Sequence, residues 1–179
     1  ITDPETRKKI VNCGSTDLCA FMVSLPCVGK SPWTETNRKK FPWKNEEFDN
    51  YVKMFHYMLW CLMEIFDELT ERGYPPLIYF ELPTRNGYWH DAVLLYFIAR
   101  YKLSKYYLYG CQYNLRAVHG RDKGKLLMKR WTIATQDCHV GAGLETNCNC
   151  TEPHATVEGQ NTRMTENYTI ELAAAFHTL

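Results

Sequence analysis

Cys148, Cys150 and His154 fall within seven residues of one another. Two thiolates one residue apart, with an imidazole four residues on, offer three soft or borderline ligands to a single ion, and zinc is the expected one. The spacing is not that of a standard finger, so a fourth ligand must come from elsewhere. Cys111, Cys138 and His139 are the candidates. Cys111 is preferred, because the tail can fold back over the strand end that carries it. The stretch 141–159 has few apolar residues, and packing alone is a poor reason for it to be ordered.

A second group has a different chemistry. Cys27 sits in a Pro-Cys turn just past an apolar run, Glu81 closes another such run, and the polar stretch Gln112 to Arg116 follows a third. A thiolate held at a sheet edge can act as a nucleophile. A neighbouring carboxyl can hydrogen-bond or protonate a ring nitrogen. No motif ties His56, His90 or His119 to Cys27, which disfavours a cysteine hydrolase.

The elements that must position these residues follow from periodicity. Asp3-Pro4-Glu5 reads as a capped helix start, with the helix running to about Val11. Leu18 to Leu25 is a near-continuous apolar run of strand length, expected to be buried on both faces. A loop rich in Gly, Pro, Ser, Thr and Lys follows it. From Glu46 to Arg72, apolar residues recur every three or four positions. That is a long amphipathic helix, stopped by Gly73 and Pro75-Pro76. Leu77 to Leu82 is a second strand, Asp91 to Tyr101 a second long helix and Lys105 to Gly110 a third strand. Leu126 to Ala134 is a fourth strand, and Tyr168 to His177 a last helix with Thr169 as its cap. Gly141 to Gly159 reads as loop.

Strands alternating with helices imply right-handed crossovers and a partial Rossmann-like α/β fold. Its sheet would be mostly parallel, with helices on both faces and a Cys/His-rich C-terminal tail. Ligands of such sheets bind beyond the C-terminal strand ends, where Cys27, Glu81 and Arg116 are expected to meet in one cleft. Residues 1–136 are expected to form the α/β part and 137–179 the tail packed on it.

Composition narrows the class. The 179 residues are 45% apolar and 23% charged, with a formal charge of +1. This balance suits one globular domain and is not that of a disordered chain. No stretch reaches the ~18 uncharged apolar residues of a spanning helix, so no membrane partner is expected. Eight cysteines lie partly within apolar runs, which suits reduced thiols in an intracellular protein of the nucleus or cytoplasm. The sequons at Asn149 and Asn167 are discounted accordingly. Aromatics are high at 14%, including twelve Tyr, which suits binding clefts. Basic residues cluster at Arg38 to Lys40 and from Arg121 to Arg130. The chain opens on Ile1 without a leader pattern and is expected to continue upstream.

The run Ser24-Leu25-Pro26-Cys27, with Ser31-Pro32-Trp33 after it, resembles the Pro-Cys nucleophile loop of the cytosine-5 DNA methyltransferases. Glu81-Leu82-Pro83 resembles that family's Glu-Asn-Val element, and Tyr109 to Arg116 its Tyr-Gly-x-x-Gln-x-Arg-x-Arg stretch. The pieces occur in the family's order across Leu18 to Ala134. A fainter likeness is to methyltransferase-like segments of retroelement polyproteins, where a Cys/His tail follows. The resemblance implies methyl transfer from S-adenosylmethionine to C5 of cytosine in DNA or RNA. Cys27 would be nucleophile, Glu81 the partner of ring N3 and Arg116 a supporting residue. Ser31, Trp33, Gln112 and Asn114 would line the substrate site. A flipped-out base is required to reach it. Leu82 stands where the family has Asn, and Asn114 where it has Arg. The Cys27-to-Glu81 separation is long. The family's Phe-x-Gly-x-Gly cofactor loop is missing from these residues and would lie in the rest of a parent polypeptide. The implied domain is therefore incomplete or degenerate here. Its alternative is a non-catalytic, zinc-stabilised module that binds nucleic acid or protein. An amino-methyltransferase frame at Ser24 to Cys27 fits less well than the cytosine-5 one.

Overall fold

The computed structural model describes all residues except 16–18, 158, 160, 163, 164 and 166. Among the described residues, six α-helices and four strands follow in the order α1 (Pro4–Gly14), β1 (Ala20–Ser24), α2 (Pro32–Lys40), α3 (Asn45–Glu71), β2 (Leu77–Pro83), α4 (Ala92–Arg100), β3 (Ser104–Tyr109), β4 (Arg130–Thr135), α5 (Cys138–Leu144) and α6 (Ile170–Thr178). The strands form one sheet in the order β1-β2-β4-β3. Two compact units divide the chain. The first is Ile1–Ser104 with Ala134–Gln136, and the second is Lys105–Ile133 with Asp137–Leu179.

In the first unit, α3 supplies the core. Phe55, Leu59, Phe66 and Leu69 are at most 1% exposed, one face of a 3.6-residue repeat. They pack with Ile78, Phe80 and Leu82 of β2 and with Leu94 and Phe97 of α4. The rings of Phe80 and Phe97 lie 5.5 Å apart, and Phe55 stacks on Tyr88 at 3.6 Å. The helix ends as expected. Gly73 takes φ +88°, Tyr74 N–H reaches Leu69 C=O and Gly73 N–H reaches Thr70 C=O. This double closure needs the left-handed residue that glycine supplies without strain.

Parallel pairing joins β1 to β2, with Ser24 opposite Glu81. The sheet as a whole is mixed, however, and the mostly parallel Rossmann-like arrangement is corrected. Between β3 and β4 the chain makes a short 3-10 turn and an antiparallel bridge of Arg116 with Leu126. A parallel pair needs a crossover, usually a helix, and this connection has none.

Four local expectations also change. Of β1 only Val23 is buried, because the strand ends the sheet order and has a neighbour on one side alone. Leu18 lies outside the described residues. The loop after Cys27 contains α2, capped by Ser31 and started by Pro32. Its polar residues give no apolar stripe to read. Gly141 to Leu144 is helical, as part of α5. There Gly141 lets the helix meet the Tyr106 ring, which would stand 2.3 Å from an added Cβ. Finally, β4 begins at Arg130, and Leu126 and Leu127 form isolated bridges instead. Among the described residues no helix is long and apolar enough to cross a membrane.

Candidate metal centre

In the second unit β3 runs into a 3-10 turn, Gly110–Tyr113, which places Cys111 just past the strand end at 5% exposure. Asn114 closes the turn in the left-handed region, φ 57°, a conformation its short polar side chain tolerates. The tail reaches Cys111 because it is pinned on two sides. Thr146 N–H donates to Tyr107 C=O at 3.0 Å, and Tyr109 N–H donates to Thr146 Oγ1 at 3.0 Å. On the other side Ala155 N–H donates to Leu126 C=O at 2.8 Å, beside a parallel bridge from Leu127. Between these anchors stand Cys148, Cys150 and His154.

The four donor atoms of Cys111, Cys148, Cys150 and His154 all lie within 4.8 Å of one another. Cys148 Sγ and His154 Nε2 are 3.6 Å apart. A tetrahedral zinc site with ordinary bond lengths has donor–donor edges of about 3.5–3.8 Å, so the spacing and the donor set both fit that ion. Gln112 Nε2 donates toward Cys150 Sγ at 3.4 Å and Cys111 Sγ at 3.8 Å. Outer donors of this kind orient ligands and spread their charge. Burial pushes the Cys111 thiol up to about 12, Gln112 opposes that, and the two other thiols add to the rise. Cys148 is held below its ordinary value, chiefly by the Cys150 backbone N–H. A bound dication favours the thiolate at every such position.

The expected metal ligands are thus brought together, Cys111 included. Cys138 and His139 stand exposed on α5, outside the cluster. The other candidates are distributed. Gln112 serves the sulfurs. Asn114 Nδ2 donates to Glu171 and its Oδ1 accepts from Arg116 Nε, while Arg116 Nη1 donates to Gly124 C=O.

Cys27 and Glu81 belong to the first unit. Ser24 Oγ donates to Glu81 Oε2 at 3.1 Å across the β1–β2 pair, and Glu81 is 5% exposed. Cys27 is half-buried against the core, and its carbonyl accepts from Asn86 Nδ2 at 2.8 Å. Ser31 caps α2, and Trp33 is 58% exposed on it. The described residues offer no glycine-rich loop after a strand that fits S-adenosylmethionine.

Sequence reasoning missed one charged centre. Asp91, 5% exposed, caps α4 through Val93 N–H and binds both Lys30 and His56. Burial works to raise its pKa, but the hydrogen bonds from Lys30, His56 and Val93 outweigh it and hold the carboxyl below its ordinary value. Lys30 and His56 also line a cleft of about 730 Å³ with Gly29, Arg38, Lys53 and His90. The available signal was Asp91 at a helix start, which identifies a cap but not its long-range partners.

No protein-family model, curated protein or solved structure matches the chain.

Proposed function

We propose that this chain works as a zinc-organised binding module, the ion being held by Cys111, Cys148, Cys150 and His154. The observation that carries the reading is the convergence of four donors within 4.8 Å, drawn from a strand end and a loop 37 residues further on. Four protein ligands fill a tetrahedral ion and leave no position for substrate, so the metal's role is structural. It replaces the apolar packing that the loop lacks. Elemental analysis of freshly purified protein should find one zinc per chain, and Cys148→Ser should remove most of it. Cobalt substitution should give thiolate charge-transfer bands that the variant lacks. Metal-free wild-type protein with an ordered tail overturns the reading.

A second reading is favoured by one observation in the first unit: Glu81 stands on β2 opposite Ser24 of the parallel strand β1, and Cys27 follows three residues after Ser24. This arrangement supports the cytosine-5 methyltransferase resemblance, in which S-adenosylmethionine supplies the methyl group. The residues present do not fit that cofactor, so the reading extends only to the nucleophile. Cys27 thiolate would add to C6 of a cytosine and make C5 exchange its hydrogen with solvent. Deuterium exchange at C5 of cytosine in DNA, lost in Cys27→Ala, tests it. No exchange above the uncatalysed rate ends this reading.

A further inference from the structure

Charge is distributed unevenly along this chain. Residues 116–130 contain six basic side chains and one acidic one, Asp122, while the other 164 residues hold fifteen basic and nineteen acidic. A near-neutral protein thus concentrates a net positive charge in one short segment and is net negative elsewhere.

That segment is a hairpin. Arg116 and Leu126 form an antiparallel bridge, Ala117 N–H donates to Lys125 C=O at 2.9 Å, and Gly124 N–H donates to Ala117 C=O at 2.7 Å. The alternation of a strand sets the inner face. Leu115, Ala117 and Leu127 are at most 6% exposed, while Arg116, Arg121, Lys123 and Lys125 are exposed. Gly120 and Gly124, at φ +77° and +88°, have nothing within 4 Å of where a Cβ would stand, while Asn161 of the tail bonds the backbone of Val118 and His119 on one side of the tip. Lys125 pairs with Asp122 at 2.7 Å. Arg121 and Lys123 make no ion pair among the described residues. At the hairpin's base, the Arg130 guanidinium lies 4.8 Å from the Tyr109 ring centre. The hairpin is tied to the metal loop by the Leu127–Ala155 bridge, one residue from His154.

We infer that the hairpin 116–130 binds the phosphate backbone of a nucleic acid. This rests on the reading of the second unit as a zinc-organised binding module, whose partner it names. The segment carries six cations against the single carboxylate of Asp122. Exposed Arg121, Lys123 and Lys125 on a narrow two-stranded ribbon match a linear polyanion with regularly spaced phosphates, while Lys129 is bonded to Thr165. Exposed Lys and Arg release condensed counterions on contact, which gives binding a steep salt dependence. The zinc site gives the ribbon a fixed base, so little ordering entropy is lost on binding.

Fluorescence anisotropy of labelled single-stranded DNA, duplex DNA and single-stranded RNA tests this on zinc-loaded full-length chain, across 50 to 200 mM salt. At least one of the three should bind, with log affinity falling linearly in log salt. The Arg121→Ala, Lys123→Ala, Lys125→Ala triple variant changes only exposed positions. It should keep its zinc, lose at least about tenfold in affinity at the lowest salt, and lower the slope magnitude by about 2 to 3. Arg121→Lys with Lys123→Arg should bind as wild type does. Absence of binding to all three nucleic acids overturns the inference. So does an unchanged slope in the triple variant, or tighter binding to phosphatidylserine vesicles than to nucleic acid. Zinc content measured on the same samples separates the two proposals. Full zinc with no binding sinks only this one, and binding without zinc sinks only the earlier one.

Discussion

The core around α3 and the segment 145–155 differ in what lines them. Around α3, side chains such as Phe55, Leu59 and Phe66 are almost fully buried, and the elements between 45 and 100 follow from apolar area removed from water. The segment 145–155 has one buried apolar residue, Ala155, yet it lies in a defined path beside β3. Three of the four donors that could hold one ion fall within it. A region with a core loses stability gradually as contacts are removed. A region organised by four donors at one point loses it at once when one donor goes.

Removing the metal should therefore be the largest perturbation. Structural zinc sites contribute an apparent ~10–16 kcal/mol of binding free energy, far beyond any single packing contact. Chelation, or Cys148→Ser, should collapse amide-exchange protection across 145–155 and at Tyr107 and Tyr109, which donate to that segment. Protection within α3 should persist. Equal loss in both regions would show that the contrast is false.

Next in size is the core. Phe66 is fully buried and touches the rings of Phe21, Phe97 and Tyr101. Phe66→Ala should cost about 3–5 kcal/mol of unfolding free energy, read from urea midpoints, without changing zinc content. A variant that sheds zinc in proportion to its lost stability would merge the two regions into one cooperative system.

Asp91 sits in the first unit but is organised like a ligand centre, by polar donors from three elements. Asp91→Ala removes a helix cap and the acceptor shared by Lys30 and His56, and should cost about 2–3 kcal/mol at neutral pH. The folded carboxyl titrates below its unfolded value. Its stabilisation is therefore present in full above about pH 4 and is lost as pH falls through the folded value. Urea midpoints of wild type and Asp91→Asn, measured from pH 6 to 2.5, should converge toward the acid end. A constant gap would show that the charge of Asp91 contributes nothing.

The same contrast explains what could be read from sequence. Long periodic elements were legible: α3 differs from its expected bounds by one residue at each end, and the last helix starts beside its expected cap, Thr169. The metal quartet was legible because thiols and imidazoles are few and their chemistry is narrow. Sheet direction was not, because strand patterns carry no sign that β4 lies between β2 and β3 or of which way it runs. The roles given to Gln112 and Asn114 came from resemblance, and each side chain makes a long-range bond, to Cys150 and to Glu171, that no motif specifies. Arg116 spans its own hairpin for the same reason. The Asp91 centre joins residues 61 and 35 positions apart, which periodicity cannot connect.

The smallest expected effect concerns Ser31, which stands in a Pro-Trp context that the methyltransferase resemblance assigns to substrate. Its hydroxyl accepts from Thr34 N–H at 3.1 Å and meets Thr34 Oγ1 at 2.8 Å. Ser31 has the extended backbone of a cap residue, φ −71° and ψ 155°. Three further features make a cap sufficient reason for a serine here. Pro32 follows at the first helical position, where its missing N–H leaves no donor unsatisfied. Thr34 is 3% exposed and donates to Val28 C=O, so the cap also closes the turn after Cys27. Arg38, Lys39 and Lys40 complete the helix with cations at its C-terminal end, where the dipole favours them. Ser31→Ala should cost about 1 kcal/mol and Ser31→Asp should recover most of it, since either side chain can accept from Thr34 N–H. A substrate contact would behave differently: Asp would place a negative charge against a polyanion and weaken nucleic-acid affinity while leaving stability intact. Measuring urea midpoint and DNA affinity on both variants therefore separates a residue that holds α2 from one that holds a ligand.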